Sequence, residues 1–186
     1  MQTQVEEAVL TAKDYFDLPE ELRERHELVN GRMVRRRMAH CNHQRHAFKM
    51  AIALELFSEA RGEGFVLPEW DCHVTKNPDS VRIPDVLFVP DARVSRRHGP
   101  YPEWLDGAPE LAFEVRSKGM SEREMLEKVD QYLANGGRVV WVARPDKRTV
   151  TIYRAGETAR VLTEDDDLED RDLLPGFRYP LRRLFN

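Results

Sequence analysis

Apolar residues recur along the chain with two periods, and the changes of period divide it into elements. Thr11 to Leu18 has the short apolar step of Tyr15 and Leu18 behind a residue able to cap a helix, and Pro19 ends it. His26-Glu27-Leu28-Val29, Asn30-Gly31 and Arg32-Met33-Val34 predict strand, turn and strand, because Asn-Gly takes the positive φ angles of a two-residue hairpin. From Asn42 to Ala60, apolar Ala47, Met50, Ala51, Leu54 and Phe57 fall at helical spacing and predict one buried stripe, stopped by Gly62 and Gly64. Phe65 to Val74 and Ile83 to Val89 predict strands. The second is apolar on both faces except at Asp85, which places it inside a sheet. Asp91 to Ala108 is rich in Arg, Pro, Gly and His without periodicity and predicts a long exposed loop.

Pro109 to Arg116 predicts a further strand. Ser121 to Ala134 predicts a helix capped by Ser121 with Glu124 at N3, and Asn135-Gly136-Gly137 stops it. Arg138 to Ala143, Thr149 to Arg154 and Thr158 to Leu162 predict a closing meander of strands. The expectation is a single domain over residues 1–186, of α/β (α+β) class, with a mixed β-sheet flanked by helices, an N-terminal hairpin and a C-terminal strand meander.

Composition narrows the setting. With 186 residues, 41% of them hydrophobic, the chain can bury one core. No stretch approaches the roughly 20 apolar residues of a membrane span, and the N-terminus lacks a basic segment followed by an apolar run, so the cytoplasm is the expected compartment. Cys41 and Cys72 form no C-x-x-C pair and predict reduced thiols. The net charge of −4 conceals a segregation of sign. Arg23, Arg25, Arg32, Arg35, Arg36, Arg37, Arg45 and Lys49 crowd one segment, and Glu164, Asp165, Asp166, Asp167, Glu169, Asp170 and Asp172 another. Either a phosphate-facing side, or simply a solvated hairpin face and an acidic surface loop, accounts for them.

Candidate chemistry begins with two acids in apolar runs. Asp85 is read either as a site residue, since a carboxylate near a core needs a partner, or as a strand-entry turn residue after Pro84. Glu114 shares one side of its strand with Glu110, Ala112 and Arg116, which also suits a solvent-facing edge. If the two strands are neighbours, carboxylates about 4 Å apart repel by roughly 4 kcal/mol at an effective dielectric of 20, and a cation relieves that. Oxygen donors, the carbonyl of Val115 among them, favour a hard ion: magnesium, or manganese as a substitute. Such an ion serves phosphodiester hydrolysis. Three cations compete for a role beside it, Arg116, Lys118 and Lys128, with Arg116 better suited to clamping phosphate than to moving protons. Glu124, Lys128 and Tyr132 recur every four residues on one helical face, a spacing that also describes an exposed helix-stabilising pair. His40, His43 and His46 have no companion ligands for zinc.

Ile83-Pro84-Asp85-Val86-Leu87-Phe88-Val89, then Pro109-Glu110-Leu111-Ala112-Phe113-Glu114-Val115-Arg116-Ser117, then Glu127-Lys128 to Tyr132 resemble, in order and spacing, the Uma-two branch of restriction-endonuclease-like proteins, within the PD-(D/E)XK nuclease superfamily. The likeness runs from Thr11-Ala12-Lys13-Asp14-Tyr15 through Asn42-His43-Gln44 to Leu174-Pro175-Gly176-Phe177. It implies a restriction-endonuclease-like sheet flanked by helices and a nuclease; Asp85, Glu114 and Lys128 in this order lead to the expectation of a magnesium-dependent endonuclease acting on DNA. Carried over residue by residue, it implies metal ligation by Asp85 and Glu114, with the lysine of the E-x-K pattern displaced to Lys128. Glu27 matches an early acid expected to bind or orient a metal water, and His43 an early helix histidine expected to touch substrate, along with Arg116, Lys118 and Tyr132. The usual Ser-Pro is replaced by Ser117-Lys118 and an aspartate by Glu124. These departures keep open a non-catalytic nucleic-acid or protein-interaction module on the same fold. A homodimer would suit cutting of a duplex.

Overall fold

In the computed structural model, which describes residues 9–37, 40–94 and 102–186, the chain opens on two short helices, α1 (Ala12–Phe16) and α2 (Glu20–Arg23). Thr11 caps α1 by accepting from the Asp14 amide while the Asp14 carboxylate accepts from the Thr11 amide. The Asn30-Gly31 turn, with φ of 50° and 74°, joins β1 (His26–Val29) to β2 (Arg32–Arg35) as an antiparallel hairpin. The 21-residue α3 (Cys41–Arg61) ends at left-handed Gly62.

Six short strands follow: β3 (Phe65–Leu67), β4 (Cys72–Thr75), β5 (Ser80–Arg82), β6 (Val86–Val89), β7 (Leu105–Asp106) and β8 (Leu111–Val115). Then come α4 (Glu122–Ala134), β9 (Val139–Arg144), β10 (Thr149–Tyr153), β11 (Arg160–Thr163), β12 (Asp167–Asp170), β13 (Leu174–Pro180) and α5 (Leu181–Phe185). The strands form two mixed sheets, ordered β2-β1-β5-β4-β7 and β11-β10-β9-β8-β6-β3, and a β12-β13 ribbon.

Several expected elements are redrawn. The run from Phe65 to Val74 splits between the two sheets, because β3 pairs with β6 while β4 pairs with β5 and β7. The strand expected from Ile83 begins at Val86, leaving Asp85 at a bend beside its entrance. The expected loop from Asp91 contains β7, and its residues 95–101 lie outside those described. The acidic run is not simply a surface loop. Buried Asp170 accepts from the amides of Asp172 and Leu173 at 3.1 and 2.9 Å and pairs with Arg154, anchoring the ribbon.

The six-stranded sheet is covered on both faces. On one, Met50 and Leu54 of α3 meet Val86, Phe88, Phe113 and Trp141. On the other, Met125, Val129 and Tyr132 of α4 meet Leu87, Ala112, Val140 and Val142. Each such side chain, fully buried, stabilises the fold by about 1.5–3 kcal/mol. This layering sets the walls of the site: α3 reaches it with its first turn, α4 with its inner face, and β1 from the second sheet.

Candidate active site

The β6–β8 register pairs Val86 with Phe113, so the next residues outward, Asp85 and Glu114, come across from one another at the end of the ladder. Asp85 is fixed there by the Val115 amide, which donates to its Oδ2 at 2.6 Å. Glu114 lies on the Ala112 side of β8, the side α4 covers, and is 3% exposed, not on a solvent-facing edge. Lys128 stands in the apolar stripe of α4 between Met125 and Val129, and its Nζ lies 2.8 Å from Glu114 Oε1. Tyr132, one turn on and fully enclosed, donates to the same oxygen at 2.9 Å.

Glu27 comes from β1 in the other sheet. Its Oε1 accepts from the Ile83 amide at 2.9 Å and lies 3.0 Å from Lys128 Nζ, and its Oε2 accepts from Arg82 at 2.9 Å. Arg82 is in turn held by Gln131 of α4 at 2.6 Å. His43, in the first turn of α3, places Nε2 3.3 Å from Asp85 Oδ2.

The two glutamates are driven apart by their partners. Burial penalises charge on Glu27, but Lys128, Arg82 and the Ile83 amide outweigh it and hold the carboxyl at about 2. Burial also penalises Glu114, and there Lys128 is opposed by Asp85 and Glu27, so its pKa is pushed up. Lys128 is the converse case. Burial lowers an ammonium, yet Glu114, Glu27 and Asp85 together raise it, so the lysine is a fixed cation and not a proton acceptor. His43 is held above the ordinary imidazole value: burial opposes its charge, while the Asp85 carboxylate, Glu114 and the Val115 carbonyl favour it.

Asp85, Glu114, Val115, Lys128, Glu27 and His43 all line one cleft of about 810 Å³. It is also lined by Arg23, Arg25, Arg35, Arg36 and Arg37, part of the basic segment of the sequence, with Glu20, Glu24, Glu69 and Asp71 among them. Arg36 donates to Glu69 and Arg37 to Glu124, each at 2.8 Å, whereas Arg25 and Arg35 face solvent. Ser117 Oγ, also in the lining, is closed off from solvent and has no hydrogen-bond partner.

Other expected residues stand elsewhere. Tyr132 is sealed behind Glu114 and positions it, so it presents nothing to a substrate. Arg116 donates to the Met120 carbonyl at 2.8 Å, and Lys118 points to solvent; neither lines the cleft. Glu124, one turn before Lys128, is exposed and closes the capping box of α4 with Ser121. Glu27 has both oxygens committed to the protein, which suits holding Lys128 better than ligating an ion. Arg82 and Gln131 belong to the network although the sequence does not mark them as site residues. The one signal is an arginine immediately before the Ile83-Pro84-Asp85 turn.

Among the described residues no three His, Cys, Asp or Glu side chains form a ready metal cage. The donor set that fits a hard cation is instead two facing carboxylates and a backbone carbonyl, all oxygen, the preference of magnesium. The His43 ring lies against the same groups, and they favour its protonated form.

The family Uma2, described as "Putative restriction endonuclease", matches residues 12–182. None of the curated proteins matches the chain. Among solved structures, a "putative nuclease" from Anabaena variabilis superposes with a TM-score of 0.84 at 20% identity, over 95% of this chain and 97% of that one. The two share a fold.

Proposed function

The chain belongs to the Uma2 family, and we infer that it is a metal-dependent endonuclease that hydrolyses phosphodiester bonds of DNA in the cleft floored by Asp85, Glu114 and Lys128. The observation that carries this is the convergence of those three residues, from three separate elements, beneath a wall of arginines.

Asp85, Glu114 and the Val115 carbonyl would hold a magnesium ion, with manganese as a substitute. When bound, the ion supplies Lewis-acid polarisation of a phosphoryl oxygen and of the attacking water. Lys128 holds a compact positive charge beside Glu114, oriented by Glu27 and Arg82, and stabilises the charge that builds on the phosphoryl group as water enters in line and one ester oxygen leaves. Tyr132 and the Val115 amide keep the two acids from turning away. His43, on the opposite wall, is placed to meet the substrate at the carboxylates. The arginine wall neutralises backbone phosphates on either side of the scissile bond.

Plasmid incubated with the protein and magnesium or manganese should be cut, and Asp85→Ala and Glu114→Ala should each abolish cutting. Cutting that survives both substitutions would exclude this site. Salt-sensitive binding without any cutting would support a non-catalytic module on the same fold.

A further inference from the structure

We propose that the outer face of α3 is the contact surface of a homodimer in which two copies pair antiparallel about Ile52. The helix is apolar on two opposite sides. Met50 and Leu54 on one are buried against the sheet, while on the other Phe48, Ile52 and Leu56 are 66%, 42% and 62% exposed. Spaced four apart, these three form a continuous stripe about 12 Å long. A helix with apolar residues on two opposite sides is suited to burial on both, and the outer stripe is a candidate contact.

The charges beside the stripe select a second copy as the occupant. A two-fold axis through Ile52 brings together residues equally distant from it, so Phe48 meets Leu56 of the partner subunit. Arg45 and Glu59 each stand seven residues from Ile52, which on a helix is two turns and within about 20° of its direction. Both are exposed, and the same axis puts Arg45 against Glu59 of the partner subunit, twice over. A parallel pairing would set Arg45 against its own copy. Arg45 gives one N–H to the Asn186 carbonyl at 2.9 Å and keeps the rest of its fork.

The stripe offers on the order of 300 Å² of apolar surface per copy, against about 800 Å² per partner in a standard interface, so the association is weak. His43, nine residues before Ile52, leaves the helix on the opposite side. The cleft therefore stays open in the pair, and the dimer does not depend on whether the cleft cuts DNA.

Sedimentation velocity of the full chain across a concentration series tests this. A reversible monomer–dimer equilibrium is expected, and Phe48→Asp should weaken it at least ~10-fold. Arg45→Glu and Glu59→Arg should each weaken it, and the double swap should recover it, since the pair is remade with its signs exchanged. All of these substitutions are on the surface, and circular dichroism should show unchanged helix content. A monomer at every concentration, or a dimer indifferent to Phe48→Asp, overturns the proposal. A double swap as weak as the singles overturns the register about Ile52.

Discussion

Lys128 Nζ stands 2.8 Å from Glu114 Oε1 and 3.0 Å from Glu27 Oε1, so one buried ammonium ties an acid of β8 to an acid of β1 across the two sheets. Glu27 also has Arg82 and the Ile83 amide and is satisfied by protein alone. Among the described residues Glu114 has Tyr132 besides, and it faces Asp85, which leaves it short of positive charge. The asymmetry divides their work: Glu27 holds the lysine, and Glu114 keeps an appetite for a further cation.

Lys128→Met should therefore damage fold and function together. Removing one member of a buried ion pair costs about 3–5 kcal/mol, because the remaining charges are left uncompensated. At about 2–4 °C per kcal/mol for a chain of this size, the melting temperature should drop by roughly 10 °C. Plasmid cleavage by the folded fraction should fall at least ~100-fold. Lys128→Arg should recover part of the melting temperature but little of the activity, since a planar fork does not replace a compact charge. Thermal melts beside cleavage rates check both.

Glu114→Gln should do the reverse to stability. Burial, with Asp85 and Glu27, raises the folded pKa of Glu114 to about 7 from the 4.5 of an ordinary glutamate, so the folded chain binds this proton more tightly than the unfolded one. That contribution is complete below the unfolded value and is lost as the pH rises through about 7. The amide mimics the protonated acid. Metal-free Glu114→Gln should melt a few degrees above the unsubstituted protein at about pH 8 and no higher at about pH 4. Magnesium should raise the melting temperature of the parent but not of the variant. Equal melts at the higher pH would show that Glu114 is already paired to satisfaction.

Much of this site was legible in the sequence because strands betray themselves by period, and an acid inside an apolar run is visible wherever it sits. Asp85 and Glu114 met as expected, since their strands are neighbours. Asp85 also proved to be a strand-entry residue, so the two readings of it were compatible. What could not be read was which face of a strand is covered. Glu114 shares a side with charged Glu110 and Arg116, and only the docking of α4 decides that this side is interior there. On α4 the four-residue spacing places Lys128 and Tyr132 on one face, as observed, but does not say whether that face is covered or exposed. Its buried stripe is Met125, Lys128, Val129 and Tyr132, and a lysine within a stripe is easily set aside as a surface residue until its counter-charges from β1 and β8 are known. The division into two sheets rests on long-range pairings, such as β1 with β5, that leave no local trace.

Tyr132→Phe isolates positioning from chemistry. The substitution keeps the ring in its buried place and removes one hydrogen bond to Glu114 Oε1, worth about 1 kcal/mol net. Glu114 is then held on that side by Lys128 alone. The expected result is a fall of about 10-fold in kcat with KM little changed, because the nucleic acid does not touch this hydroxyl. A rise in KM with kcat intact would return Tyr132 to the substrate side of the cleft.

The arginine wall is best tested where its members have no second task. Arg36 and Arg37 also fasten Glu69 and Glu124, so replacing them disturbs the hairpin and the cap of α4 along with any bond to phosphate. Arg25 and Arg35 line the same cleft and face solvent. Removing one cation that neutralises a phosphate should reduce the slope of log affinity against log salt by about 0.9 for a duplex. Arg25→Ala and Arg35→Ala should each flatten that slope by about one unit, equally for unrelated DNA sequences, and the double variant by about two. Fluorescence anisotropy with labelled duplexes at several salt concentrations gives the slopes. An unchanged slope in the double variant would mean that the nucleic acid approaches Asp85 and Glu114 from a direction other than the β1–β2 hairpin.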